Sequence, residues 1–455
     1  MANSSLNPFW LRYLSASLRA KIEQRAHLSK ILSNTAWLFS DRILRMGVGL
    51  FISVWVARYL GPKDFGLFSF AVAFVSLFGA FSTLGLPGIV VRDLVSDPKG
   101  SVETLGSGFV LQVLGGVTAF SLLLVLIPIV RPQDQSAISV AVIIGLTLLL
   151  KGSESIKYWF EAQVQSKYAV WAENIVFVVM AAAKIGLILG GASLLAFAWA
   201  TFLEGLITAI VLFAMYEWVG ERIKAWRFSM ARAKVLLNHS WLLILSGLAV
   251  TVYMRIDQIM LGQMLDDKAV GVYTVAVRIS EAWYFIPAAI VGSAFPALLD
   301  AKKVSEALYL EKFQNLYDVL AMIALMVAIP VTFLATPLVE TLFGHEYLEA
   351  GTILSIHIWT ALFVFLGVAS GRWFLAENRQ LLAFWQVFAG MGVNITLNWV
   401  LIPKYGGVGA AVATLISQAV ASFLVDVIHK DTRLMFRMKL KACLLRRAFR
   451  VWHPT

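Results

Sequence analysis

Apolar residues in this chain do not alternate or recur singly; they run in blocks of about twenty, separated by short polar stretches. A transmembrane helix needs roughly 20 mostly apolar residues at a rise of about 1.5 Å each. Read with that ruler, the pattern predicts twelve membrane-spanning helices, at 36–58, 65–90, 105–130, 136–156, 170–190, 193–217, 238–263, 270–298, 314–336, 350–371, 380–402 and 407–428. The fold class expected is an all-α integral membrane protein. None of the connecting segments is long enough for a further folded domain. The longest runs over about 217–237.

Similar stretches recur in order along the chain. Asn34-Thr-Ala-Trp37 before the first span returns as Asn238-His-Ser-Trp241 before the seventh. Phe65-Gly-Leu-Phe-Ser-Phe-Ala-Val72 is echoed by Val270-Gly-Val-Tyr-Thr-Val-Ala-Val277, and Trp159-Phe160-Glu-Ala162 by Trp373-Phe374-Leu-Ala376. The spacing is nearly constant, so the expectation is two six-helix bundles related as parallel repeats, with a site between them. The organisation read is 1–30 as an amphipathic segment, 31–217 and 238–428 as the bundles, 218–237 as a linker and 429–455 as a basic tail.

Composition agrees. Of 455 residues, 59% are hydrophobic and 14% charged, well away from the near-half and one-quarter of soluble domains. A single cysteine, Cys443, excludes an internal disulfide. The net charge of +11 would suggest nucleic acid in a soluble protein, but its placement reads as topology. Of 38 lysines and arginines, only Arg58, Lys63, Arg131, Lys268 and Lys404 fall on the side away from the termini. Both termini are therefore expected in the cytoplasm, with the bilayer as partner and no nucleic acid. Residues 1–30 lack a signal-peptide pattern; Trp10, Leu14, Leu18 and Ile22 with interspersed arginines read as an interfacial helix. The tail from Lys430 reads as a second segment held by anionic headgroups.

Five basic residues, Arg42, Arg45, Lys184, Arg255 and Arg278, lie inside the spans. Facing lipid, they would cost roughly 12–17 kcal/mol together on insertion scales. They must line water, meet an anion, or pair with acids. Helix spacing lets Asp41 reach Arg45 and Glu281 reach Arg278, while Arg255 has no acid three or four residues away. Asp257, two residues on, faces elsewhere. Lys184 has Glu204 in the neighbouring span as a candidate partner, and Glu204 is also a candidate for ion coupling, as are Asp257 and Glu281. Arg255 and Arg278 both fall on the order of 12 Å beneath the same surface, which suggests a cationic lining suited to an anionic substrate. The alternative is a set of internal ion pairs.

Other chemistry is sparse. The six histidines show no metal-ligand spacing, and no metal or cofactor is expected beyond a possible coupling proton, sodium ion or membrane potential. His357 reads as an interhelical hydrogen-bonding group. Gly407-Val-Gly409 lies in a span and reads as close helix packing rather than a dinucleotide loop. Lys151, Glu154, Lys157 and Glu161 read as a solvated extension of the fourth helix. Pro87 in the second span, and Pro287 and Pro296 in the eighth, are hinge candidates because proline removes a helical hydrogen bond.

Three motifs in order then carry a resemblance. Ala57-Arg-Tyr-Leu-Gly-Pro-Lys-Asp-Phe-Gly-Leu-Phe-Ser69 with Leu84-Gly-Leu-Pro87 and Val91-Arg92 resembles the opening of Wzx-type polysaccharide flippases. Arg255-Ile-Asp257-Gln-Ile-Met-Leu-Gly262 with Val270-Gly-Val-Tyr273 is similar to their mid-chain pattern. Asn394-Ile-Thr-Leu-Asn398, Leu401-Ile-Pro403 and Tyr405-Gly-Gly-Val-Gly-Ala-Ala411 are similar to their closing one. The resemblance covers about 31–428 and places the chain in the multidrug/oligosaccharidyl-lipid/polysaccharide exporter superfamily. It implies a V-shaped pair of bundles in a bacterial inner membrane, carrying undecaprenyl-diphosphate-linked oligosaccharide from the cytoplasmic to the periplasmic leaflet by alternating access. By position, the family's basic cavity residues would be Arg45, Arg255 and Arg278. The polysaccharide polymerisation machinery becomes a candidate partner. Competing readings are a drug/cation antiporter of the same superfamily, which the intramembrane arginines disfavour, and a membrane glycan polymerase or ligase. The latter would show a large outer loop, so no enzymatic activity is expected.

Overall fold

The computed structural model describes residues 26–444, with side chains from 45 onward. The expected interfacial segment at 1–30 and the end of the tail thus fall largely outside the described residues. Those described are helical, with no strand among them, and ten helical runs are long and apolar enough to cross a bilayer. Two of the ten are double. In α1 (Ala26–Leu77) Gly61 has φ 72° and ψ 171°, and in α15 (Gln380–Ser422) Gly406 has φ 56° and ψ −135°. Only glycine adopts such backbone readily, and neighbouring Pro62 and Pro403 reinforce the breaks. A 52-residue helix would extend about 78 Å, more than twice the bilayer core of about 30 Å. Each double run crosses twice, so the ten runs make twelve crossings.

The remaining helices follow in order. They are α2 (Gly79–Thr83), α3 (Pro87–Ser96), α4 (Ser101–Val130), α5 (Gln135–Gly145), α6 (Glu154–Ala162), α7 (Lys167–Leu189) and α8 (Leu194–Trp218) in the first half. The second half has α9 (Met230–Met264), α10 (Asp267–Glu281), α11 (Phe285–Val304), α12 (Glu306–Phe343), α13 (Glu349–His357), α14 (Thr360–Ala376) and α16 (Arg433–Cys443) beside α15. Interruptions recur at matching places. The second crossing breaks around Leu84–Leu86 and the eighth between α10 and α11; the fourth passes through a 3-10 stretch, Leu146–Ser153, and the tenth breaks between α13 and α14. Pro87 opens α3, where its missing N–H costs nothing, while Pro287 lies in the first turn of α11 and Pro296 inside it.

Two lobes result. Helices α1, α4, α5, α7 and α8 pack on one another, as do α10 and α12 to α15. Helix α9 bridges them: its start is tied to the first lobe and its end packs on α15. At that start Arg232 bonds Asp97 at 2.5 Å, and this hydrogen bond, with one from the Gly100 N–H, holds the Asp97 carboxyl below the usual carboxylate range. The lobes otherwise meet chiefly at the face bearing the Gly61 turn. There α1 crosses α10 with Gly66 against Asp267 and Gly271, and Gly271 against Pro62, so closely that a Cβ on either glycine would overlap the other backbone. Beside them the Tyr347 hydroxyl donates to the Ala57 carbonyl at 2.8 Å. Arg131, at the end of α4, bonds Asp267 at 2.7 Å, lies 3.5 Å from Asp134 and stacks 4.2 Å over Phe70. A buried apolar cluster runs across this seam, whereas two others lie within single lobes.

The tail departs from expectation. Instead of offering all its charge to headgroups, α16 docks on α12 and buries Lys439 completely. The Lys439 ammonium donates to Asp426 at 2.6 Å and to the Ser422 carbonyl at 2.7 Å, while Gln386 donates to the other Asp426 oxygen at 2.6 Å. Burial lowers the lysine below its usual range, against the opposing pull of Asp426. Met435, Met438, Lys439 and Ala442 form the inner stripe at helical spacing, leaving Arg433, Arg437 and Lys441 outward.

Candidate functional site between the lobes

The seam places the intramembrane charges in two tiers. Nearer the Gly61 face, Arg255 on α9 and Glu281 on α10 approach to 3.5 Å, with side chains 34% and 21% exposed, so this is a loose pair. The i, i+3 pairing of Arg278 with Glu281 expected from spacing does not form, because Glu281 turns to Arg255. Arg278 instead reaches across the seam, donates to the Ser53 hydroxyl of α1 and lies 5.2 Å over the Phe65 ring. Among the described residues no carboxylate pairs with it. The two arginines and one glutamate leave one net positive charge between the lobes. In the first lobe, Lys184 on α7 donates to Glu204 on α8 at 2.6 Å, the contact their adjacent spans suggested.

Towards the opposite face, Arg45 pairs with Glu173 of α7 at 3.3 Å and lies 5.6 Å from the Phe177 ring. Asp41 and Arg42 are on α1, but their side chains lie outside the described residues. Lys157 contacts Glu173 at 3.1 Å and Glu154 at 3.7 Å, and Lys151 donates to Glu154 at 2.8 Å. This corrects the reading of the Lys151–Glu161 series as solvated at Glu154, whose side chain is 19% exposed and joins an ion network that links α6, α7 and α1, whereas Glu161 is exposed as that reading expected. Spacing along one helix could not reveal it, because Glu173 comes from another. His357 behaves as expected, with Nδ1 2.9 Å from the Ser280 hydroxyl.

Asp257 occupies a separate pocket within the second lobe and is 4% exposed. It accepts from the Tyr273 hydroxyl at 2.6 Å, from Asn398 Nδ2 at 2.5 Å and from the Thr414 hydroxyl. Asn398 also donates to Asn394 Oδ1 at 3.1 Å, while its own Oδ1 is buried without a partner. No lysine or arginine pairs with Asp257 among the described residues. Sequence placed Asp257 off the Arg255 face but did not find Asn394, Asn398 and Thr414 as its neighbours. Their only signal was polar residues inside the last two spans.

Helical lobes joined at one face, with a half-buried arginine between them that no carboxylate pairs among the described residues, make a multi-pass membrane protein. The chain belongs to the polysaccharide biosynthesis protein family, which matches residues 31–302. It is similar to the probable flippase AglR of Haloferax volcanii, 24% identical over 421 residues that cover 87% of this chain and 83% of that one. It is also similar to the probable low-salt glycan biosynthesis flippase Agl15 of the same organism, 26% identical over 200 residues, or 43% of this chain and 42% of that one. Among solved structures, an inward-facing multidrug resistance MATE family transporter of the MOP superfamily superposes with TM-score 0.70 at 16% identity, covering 89% of this chain and 95% of that one. The lipid II flippase MurJ in an inward closed conformation gives 0.67 at 16% identity, covering 93% of each. The structural likenesses show the fold. With the family, they uphold the resemblance to polysaccharide flippases of that superfamily carried by the three motifs.

Proposed function

We propose that the protein moves an undecaprenyl-diphosphate-linked oligosaccharide from the cytoplasmic to the periplasmic leaflet of a bacterial inner membrane, with both termini cytoplasmic. The observation that carries this reading is Arg278, an arginine between the lobes that no carboxylate pairs among the described residues. A diphosphate leaving water needs counter-charge, and a guanidinium offers donors in a fork that matches phosphate oxygens. Relatives described as probable flippases and a lipid II flippase neighbour support the same class of cargo. The seam closed at the Gly61 face would then be the periplasmic gate, opened and shut by alternating access. Breaks at Pro87 and Pro287 in matching crossings are the proposed hinges, and Pro296 a further one within α11. No bond is made or broken in this cycle; binding on one side is followed by release on the other.

Coupling is assigned to the Asp257 pocket. A buried carboxylate with no cationic partner among the described residues, beside the hydroxyl oxygens of Tyr273 and Thr414 and the open amide oxygen of Asn398, suits a proton or a sodium ion, whose occupancy would bias the packing of α9 and α10 on α15. Glu204 and Glu281, engaged by Lys184 and Arg255, are left as charge partners. The test is reconstitution in liposomes with a lipid-diphosphate oligosaccharide, following arrival of the glycan at the far leaflet by its access to an added lectin. Transfer supports the proposal; exchange of cationic drugs with no glycan transfer would replace it by the antiporter reading.

A further inference from the structure

Between α1, α7 and α8 the seam holds a pocket of about 240 Å³ whose lining includes Phe65, Phe68, Phe177 and Phe197, with Arg278 and Lys184 among its polar groups. Its polar lining is already engaged. The Ser53 hydroxyl accepts from Arg278, the Thr201 hydroxyl donates to the Phe197 carbonyl at 3.0 Å, and Lys184 holds Glu204. A sugar placed there would find few free donors or acceptors, and its hydroxyls would be left without partners. Hydrocarbon would not. A space of about 240 Å³ has room for a short hydrocarbon segment on the scale of an isoprene unit. An apolar slot edged by a guanidinium that no carboxylate neutralises among the described residues has the shape of a head–tail junction.

We infer that this slot binds the isoprene units adjoining the phosphate of a polyprenyl diphosphate, while Arg278 takes the phosphate and the glycan stays in the space between the lobes. The inference rests on the proposed function and adds where the lipid end of the substrate is gripped. Gly49 on α1 and Ala181 on α7 both line the slot, and a Cβ at Gly49 meets nothing closer than Phe177 at 3.9 Å, so larger side chains at these positions would enter it.

The test is calorimetric titration of the full-length purified protein with geranyl diphosphate and with inorganic pyrophosphate. Dioctanoyl phosphatidylglycerol serves as competitor. Geranyl diphosphate is expected to bind at least about 100-fold more tightly than pyrophosphate, since burying several carbons adds a large apolar contribution. In Gly49→Leu and Ala181→Phe that preference should shrink to under about tenfold, with pyrophosphate affinity unchanged within about twofold. Unchanged pyrophosphate binding also certifies that the variants are folded. Equal binding of both diphosphates by the wild type, or filled variants that keep the full preference, would overturn the slot and leave the proposed function standing. Equal loss of both ligands in both variants would also overturn it, as would equally effective competition by the phospholipid. Failure of both diphosphates to bind the wild type would remove the proposed function as well.

Discussion

Replacing Arg131 by glutamine should open the seam at the Gly61 face. The Arg131 and Asp267 side chains are only 14% and 11% exposed and meet at 2.7 Å across the two lobes. Removing one partner from a fully buried ion pair costs roughly 3–5 kcal/mol, because the other charge is left uncompensated. Asp134, 30% exposed, shares the guanidinium and keeps water near, so about 2 kcal/mol is the reasonable share here. At about 1.4 kcal/mol per tenfold, the ratio of closed to open seam should fall about 30-fold. Val270 is fully buried beside this clamp, and the natural cysteine can be removed as Cys443→Ser. In that background, Val270→Cys should react with a membrane-impermeant maleimide about 30-fold faster once Arg131→Gln is added. The exchanged pair Arg131→Asp with Asp267→Arg should return the rate most of the way. Equal labelling with and without the clamp would refute the argument, as would an exchanged pair no slower than the single variant.

Three further outcomes follow from the same geometry. Lys439→Met leaves Asp426 buried with Gln386 as its remaining side-chain partner among the described residues, a loss of about 3–5 kcal/mol, so tryptic cleavage at Arg433 and Arg437 should accelerate by at least about 100-fold; adding Asp426→Leu should largely reverse it. Glu281→Gln removes the partner of Arg255 and should tighten pyrophosphate binding about tenfold in calorimetry while slowing glycan release; unchanged affinity would show that the pair does not share the anion site. Asp257→Asn should abolish the dependence of transport on an imposed proton or sodium gradient without changing pyrophosphate affinity, and a variant that still responds to both gradients would take coupling away from this pocket.

The fold was legible because its determinant is one-dimensional. Bilayer thickness sets block length, and the twelve apolar blocks survive in the structure even where Gly61 and Gly406 join two crossings into one helical run. Pairings were legible only when both partners lay on one helix or on adjacent hairpin helices, as with Lys184 and Glu204. Arg278 defeated the helix-spacing rule because Arg255, on another helix, took Glu281. Glu173 and Arg131 were unremarkable as sequence, one inside an apolar span and the other in a short loop. Their meaning comes from α1 packing on α7 and crossing α10, which no periodicity encodes. The basic tail misled for a similar reason: a lysine at an inner helical position looks like its neighbours until its buried acid is found.

Most directly at stake is whether Arg278 serves the phosphate. Wild type, Arg278→Lys and Arg278→Gln would be reconstituted at equal density, and initial rates of lipid-diphosphate oligosaccharide transfer measured. Loss of a charge-assisted contact worth roughly 3 kcal/mol predicts a fall of about 100-fold for glutamine. Lysine, which keeps the charge but not the fork, should fall between. Full-rate transfer by a folded Arg278→Gln protein would contradict the account.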